Sequence, residues 1–231
     1  MFIPLKDDNP TSRIPVVTVL IIALNAVIFF FQVFSSSGLQ HFVYKMGAIP
    51  YEITHFKTLV VVSAESQESI SRLSPPVTLI TSMFLHGSLF HLLFNMLYLW
   101  IFGNNIEDFL GHFRFILFYL LSGMGASLTH ILFHPNSQVP MIGASGAIAG
   151  TLGAYLILYP RASVITLIFL FFFIRIVAVP AAFVLGLWIL VQVLNIGAGG
   201  GVAWFAHIGG FLVGIALIKL FFRKKPRVWI H

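Results

Sequence analysis

Apolar and polar residues in this chain alternate in blocks the length of whole helices. Ile14–Phe34 is an unbroken apolar run, close to the roughly 20 residues that cross a hydrocarbon core. The polar residues 1–13, with Pro4 and Pro10, precede it as a short tail. Ser35–Pro76 mixes polar residues with apolar patches, such as Leu59–Val62, too short to span. It reads as a long, partly interfacial external loop, and loops of that length are usually functional or disordered. Thr78–Gly103 is a second span, although His86, His91 and Asn95 interrupt its Leu, Phe, Met and Trp residues. Gly103–Gly111 reads as a turn, and a third span runs from His112 to about Phe133. A fourth runs from about Met141 to Tyr159, where Pro160-Arg161 stops it. Ser163–Leu194 is too long for one crossing, and Arg175 and Pro180 divide it. Val164–Ile174 is expected to lie in the membrane plane or re-enter it, and Ile176–Leu194 to be the fifth span. The glycine-rich Asn195–Gly201 leads to the sixth, Val202–Phe222. The pattern predicts an all-α polytopic membrane protein, a bundle of six transmembrane helices over residues 14–222, with a basic tail at 223–231.

Composition agrees: 58% of residues are hydrophobic and 9% charged, far from the usage of a soluble domain. The 25 phenylalanines suit surface facing lipid. There is no cysteine, which excludes disulfides and thiolate-held metal. A net charge of +6 could suggest nucleic acid, but the basic residues sit in loops and tails rather than along an amphipathic helix. They set topology instead. With the N-terminus inside, ten of the 13 Lys and Arg residues fall inside, and Lys45, Lys57 and Arg72 fall outside in the first loop. Both termini are then cytoplasmic. The second, fourth and sixth spans all run from outside to inside. The six-span plan and short tails point to a bacterial or archaeal cell membrane.

This topology brings two residues to one depth. Ser145 and His207 each lie about one turn into their spans, roughly 5–8 Å below the outer boundary. Gly146 and Gly150 in the fourth span, and Gly210 and Gly214 in the sixth, have the spacing that lets helix backbones approach closely in lipid. A serine hydroxyl needs a base to take its proton, and neutral imidazole can do so. The chain's acids are Asp7, Asp8, Glu52, Glu65, Glu68, Glu107 and Asp108, none of them in the last three spans. A Ser145–His207 dyad therefore fits better than a triad, and it avoids burying another charge. An oxyanion needs donors. His91 and Asn95, four apart, share one helix face. His86, roughly 140° away around a continuous helix, is expected to serve a structural role.

Each feature has a plainer reading: a small residue at a helix crossing for Ser145, an interfacial side chain for His207, interhelical hydrogen bonding for His91 and Asn95. Their order and spacing together carry more. The chain resembles the rhomboid intramembrane serine proteases, in His86-Gly-Ser-Leu-Phe-His91-Leu-Leu-Phe-Asn95, in Gly143-Ala144-Ser145-Gly146 and in Ala206-His207-Ile208-Gly209-Gly210. The resemblance implies Ser145 as nucleophile and His207 as general base and acid. It implies an oxyanion site from His91, Asn95 and the Ser145 N–H, and a structural Glu107 between Gly103 and Gly111. It also implies a water-filled cavity gated by the fifth helix and the loop before the sixth. Transmembrane proteins would be the substrates, the lipid bilayer the surroundings, and no cofactor or metal would be needed. Some members carry an aromatic residue four after the serine, stacked on the histidine. Ala149 stands there in this chain, so other packing, from the fifth or sixth helix, must hold His207. The first loop also lacks a Trp-Arg pair found in some bacterial members.

Rival classes fit less well. No His-Glu-x-x-His is present for a metalloprotease. No acid or base lies mid-membrane, and no related halves with broken helices suggest a transporter. An inactive member that binds or chaperones transmembrane clients is the remaining alternative, disfavoured because Ser145 and His207 are both present.

Overall fold

Lipid reverses the usual burial rule, and the first span shows it. The computed structural model describes residues 2–62, 69–170, 173–198 and 201–221. It opens with strand β1 (Phe2–Asp7), followed by helix α1 (Val16–Phe34). Helix α1 buries Thr18, Asn25 and Gln32 on one face and exposes Leu20, Leu24, Phe30, Phe31 and Phe34. Polar groups in a bilayer must point into the bundle and find partners there. Thr18 bonds Glu107, Asn25 donates to the Ile21 carbonyl, and Gln32 clasps the backbone N–H and C=O of His86.

The segment after α1 contains more order than its composition suggests. It forms α2 (Gly38–Met46) and α3 (Pro50–His55), then α4 (Pro75–Thr81). A buried Arg72–Glu52 pair ties it internally, and Glu52 also accepts the Leu59 N–H. Its task is visible in three contacts. Ala48 and Met141 exchange backbone bonds, Tyr51 N–H donates to Ser137, and Gly143 N–H donates to Ser82 at the end of α4. The loop thus grips residues 137–143, the stretch leading into Ser145.

The second span is α5 (Leu89–Tyr98), a π-helical turn at Leu99–Gly103, and α6 (Asn104–Leu110). Helix α7 (His112–Phe133) follows after Gly111, whose φ of +77° makes the sharp reversal possible. Helix α8 (Ser145–Leu158) is central: 11 of its 14 residues are buried. Strands β2 (Ser163–Leu170) and β3 (Phe173–Pro180) come next, then α9 (Ala181–Leu194) and α10 (Trp204–Phe221). Helix α10 packs along α8 at glycines. A methyl group on Gly210 would overlap the Gly146 carbonyl, and one on Gly214 the Gly150 carbonyl. Helices α1, α5–α6, α7 and α10 are long and apolar enough to cross a bilayer, and α8 and α9 are shorter apolar helices. The protein is a multi-pass, predominantly helical membrane protein.

Several sequence expectations need correction. A three-stranded antiparallel sheet, ordered β1-β2-β3, joins the helices. Phe2 pairs with Ile168 and Asp7 with Val164, so residues 2–7 are a strand and not a loose tail. Residues 164–170 and 173–174 are strand rather than a segment lying in the membrane plane or re-entering it, because the Val, Ile, Thr and Phe run favours extended backbone. The fifth helix starts at Ala181, not Ile176, because Pro180 cannot sit inside a helix and stands at its N-cap. The second span starts at Leu89, because Leu85–Ser88 is not helical, and the expected turn at 103–111 is helical as far as Leu110. The fourth helix begins at Ser145 rather than near Met141, because the backbone at Gly143 has φ +120°. The basic tail 223–231 lies outside the described residues.

Candidate active site

Three backbone features aim the serine. Gly143 takes a φ of +120°, a conformation that side-chain-bearing residues rarely adopt, and so turns the chain sharply into α8. Ser145 is then the first residue of that helix. Its N–H and those just after it are first-turn donors with no acceptor inside the helix. His207 lies near the start of α10, and the glycine crossing draws the two helix starts together. Ser145 Oγ and His207 Nε2 are 2.9 Å apart. Both residues are half-buried.

The other imidazole nitrogen is also occupied. His207 Nδ1 is 2.7 Å from Gln192 Oε1 of α9. Trp188 and Trp204 flank the ring, with centroids at 5.8 and 6.3 Å. These residues supply the packing that Ala149 does not. The sequence points to the fifth or sixth helix for this support but does not single out Gln192. The available signal was that Gln192 is the one amide or charged side chain within α9, four residues after a tryptophan.

His91 and Asn95 come from α5. The helix starts where Ser88 caps it, its Oγ accepting the His91 N–H at 3.1 Å. His91 Nδ1 receives a long bond from Gly87 N–H at 3.5 Å, which leaves Nε2–H as the ring's donor. That edge faces the Gly143 turn: a methyl on Gly143 would lie 2.9 Å from His91 Nε2. Asn95 is buried, and its Nδ2 has no protein partner. Such an amide is an unused donor, on a residue that borders the same cavity as Ser145.

His86 is fully buried just before α5, and its ring meets that of His91 edge-on at 5.0 Å. It is not on a helix, so the 140° separation does not apply. Glu107 is far from the serine. Its carboxylate accepts from Val17 N–H, Thr18 N–H and Thr18 Oγ1 at 2.7–2.9 Å and meets His112 Nδ1 at 2.5 Å. It caps α1, where orphan N–H groups and the helix dipole favour a carboxylate. Gly146, Gly150, Gly210 and Gly214 form the α8–α10 contact.

These side chains border a cavity of about 1150 Å³ between α5 and α9. His91, Asn95, Ser145, His207 and Gln192 lie on its wall, and Phe94, Tyr98, Ile148, Leu152, Trp188 and Val191 make most of the rest apolar. Phe2 and Ile3 of β1 also border it, so the sheet contributes to the wall. His130 is another lining residue.

The fold and this site define a polytopic membrane protein with a serine–histidine pair set inside its helical bundle. Residues 74–224 match the Rhomboid domain family, and the chain belongs to that family. It is similar to RHOMBOID-like protein 6, mitochondrial, of Arabidopsis thaliana, 38% identical over 65% of this chain and 45% of that protein. It is similar to Rhomboid protein 1, mitochondrial, of Saccharomyces cerevisiae, 31% identical over 60% of this chain and 40% of that one. Rhomboid protease GluP of Bacillus subtilis is 34% identical over 62% of this chain and 24% of its own length. The chain thus spans less than half the length of each of these relatives.

Proposed function

We propose that this protein is an intramembrane serine endopeptidase that cuts transmembrane segments of other membrane proteins near the outer face. The observation that carries the reading is the 2.9 Å contact between Ser145 Oγ and His207 Nε2 on separate helices beside an apolar cavity. His207 Nε2 accepts the Oγ proton as Oγ attacks the scissile carbonyl carbon. The electron pair moves onto the carbonyl oxygen, which the Ser145 N–H, His91 Nε2–H and Asn95 Nδ2–H receive. The imidazolium then gives its proton to the leaving amine, and the C–N bond breaks. Water, deprotonated by the same imidazole, hydrolyses the acyl-serine. Apolar walls suit a substrate segment taken from lipid, and the polar groups cluster at the end where α8 and α10 begin.

The proposed home is a bacterial or archaeal cell membrane, with the N-terminus inside. Two observations support that orientation: the excess of basic residues in the inner loops, and the pairing of β1 with β2. The pairing requires the N-terminus and the segment after α8 to share one side of the membrane.

The test is cleavage of a reporter transmembrane substrate in liposomes, together with fluorophosphonate labelling mapped by intact mass. Ser145→Ala and His207→Ala should each insert normally and abolish cleavage, and the label should sit on Ser145. Near-normal cleavage by either variant would sink the dyad. Client binding without cleavage by the native chain would favour the inactive-member reading.

A further inference from the structure

The last three helices hold no carboxylate to orient His207, yet its outer nitrogen is not idle. Gln192 Oε1 stands 2.7 Å from Nδ1. Which end of an amide faces a neighbour must be settled by its other bonds. Here the Gln192 Nε2 donates to the Trp188 carbonyl at 3.0 Å. A carbonyl can only accept, so the NH2 group faces Trp188 and the oxygen faces the imidazole. Nδ1 must then carry the ring proton. Nε2 is left with its lone pair toward Ser145 Oγ at 2.9 Å, where a base must have it. The relay is fully satisfied: Ser145 O–H to His207 Nε2, His207 Nδ1–H to Gln192 Oε1, Gln192 N–H to the Trp188 carbonyl. The Trp188 ring, one turn from Gln192 on the same face, lies against the imidazole.

Burial along α9 supports a dedicated role. Its buried residues are Ala181, Val184, Leu185 and Gln192. The first three lie near its β3 end, and Gln192 is the one buried residue in the half beside the site. We infer that Gln192 is the positioning residue for His207, selecting its Nδ1–H tautomer and fixing its ring. This rests on the dyad reading above. A neutral amide does the orienting work of a carboxylate without placing an unpaired charge in the bilayer. Because Gln192 rides on α9, the base is held correctly only while that half of α9 lies against α10. Outward movement of α9 would take the acceptor away from Nδ1 and let the ring turn.

The experiment uses the full chain in liposomes and two substitutions, Gln192→Met, similar in size but without an acceptor, and Gln192→Glu, which keeps one. The readouts are kcat and KM on the reporter substrate, the rate of fluorophosphonate labelling at Ser145, and melting temperature. Gln192→Met should slow kcat and labelling by at least about tenfold with KM and melting little changed. That is a smaller loss than follows when a catalytic histidine takes the wrong tautomer. Gln192→Glu should recover labelling above the Met variant. It should also move the acidic limb of the rate profile to higher pH, since a carboxylate on Nδ1 favours the imidazolium. The other titratable groups around this space are His91, His130 and Tyr98, and no carboxylate lines it among the described residues. Labelling of Gln192→Met at the native rate would overturn the assignment. So would a Glu variant no better than Met, or losses that follow melting temperature. Native protein that is active but unlabelled at Ser145 would instead remove the dyad, and this inference with it.

Discussion

A methyl group on Gly143 would lie 2.9 Å from both Cε1 and Nε2 of the His91 ring. That contact couples the turn before Ser145 to the helix that carries His91 and Asn95. Gly143 is also held at φ +120°, where a Cβ is strained whatever the space around it.

Gly143→Ala should therefore fail twice. Backbone strain of about 1–3 kcal/mol adds to displacement of His91, and cleavage should fall to background. Gly87→Ala is the control, because its methyl would meet only Ile142 Cδ1, at an ordinary 3.6 Å. It should cleave within about twofold of native. The check is turnover of the reporter substrate by both purified variants, with melting temperature recorded alongside.

Asn95 has a buried Nδ2 with no protein partner, and the proposed oxyanion site uses it as a donor. Asn95→Ala should lower kcat by about 100-fold and change KM little, because the Ser145 N–H and His91 remain. An unchanged kcat would remove Asn95 from the oxyanion site.

The candidate site is legible in the sequence as a set of residues, because chemistry-bearing side chains are rare in an apolar background. His91, Asn95, Ser145 and His207 stand out at helical spacing, and the paired glycines indicate which helices touch. Gln192 was harder to find. One amide in an apolar helix says nothing until its partner is known, and that partner is 15 residues away, on a different helix. The sheet was missed for a related reason. Residues 164–174 are apolar but for Thr166, so that a strand and a membrane segment look alike, and the pairing with residues 2–7 decides between them. The short helices of the long, partly interfacial first loop are not legible in its mixed composition, and what ties it to residues 137–141 is backbone bonding, which no side-chain pattern reports.

Glu107 accounts for three donors at the start of α1, and none has another acceptor nearby in sequence. Glu107→Ala should leave them buried and unpaired, at about 1–3 kcal/mol for each group that water cannot reach. Its melting temperature in detergent should drop by several degrees or more, while labelling of Ser145 in the surviving folded fraction continues. Loss of labelling with native melting would show that Glu107 acts on the site itself.

Gly214 and Gly186 make opposite predictions from the same substitution. A methyl on Gly214 would run into the Gly150 backbone of α8, whereas nothing lies within 4 Å of one on Gly186. Gly214→Ala should pry α10 from α8, separate Ser145 from His207 and lose most cleavage. Gly186→Ala should retain it. Equal activities would mean that the α8–α10 contact does not set the dyad.

Asp7 anchors β1 to the bundle from a stretch whose sequence predicts a tail. Its Oδ2 accepts from Tyr155 Oη at 2.6 Å and Asn105 Nδ2 at 2.7 Å. Burial pushes this carboxyl above its ordinary 3.8, outweighing the bonds from Tyr155 and Asn105 that pull it down. The docked strand therefore holds the proton more tightly than the free one. Docking is strongest below the ordinary value and weakens as pH rises through the raised one. Asp7→Asn stays neutral and keeps an oxygen for Tyr155, so its docking should not weaken over that range. Asp7→Ala loses both bonds and should be loose at every pH. Amide exchange at residues 3–7 checks this: native protection should decline from pH 4 to pH 8, and the Asn variant's should hold once intrinsic exchange rates are divided out. A native profile as flat as that of Asp7→Asn would mean that the carboxyl keeps its charge in the docked strand and that the two hydrogen bonds, not burial, set its ionisation.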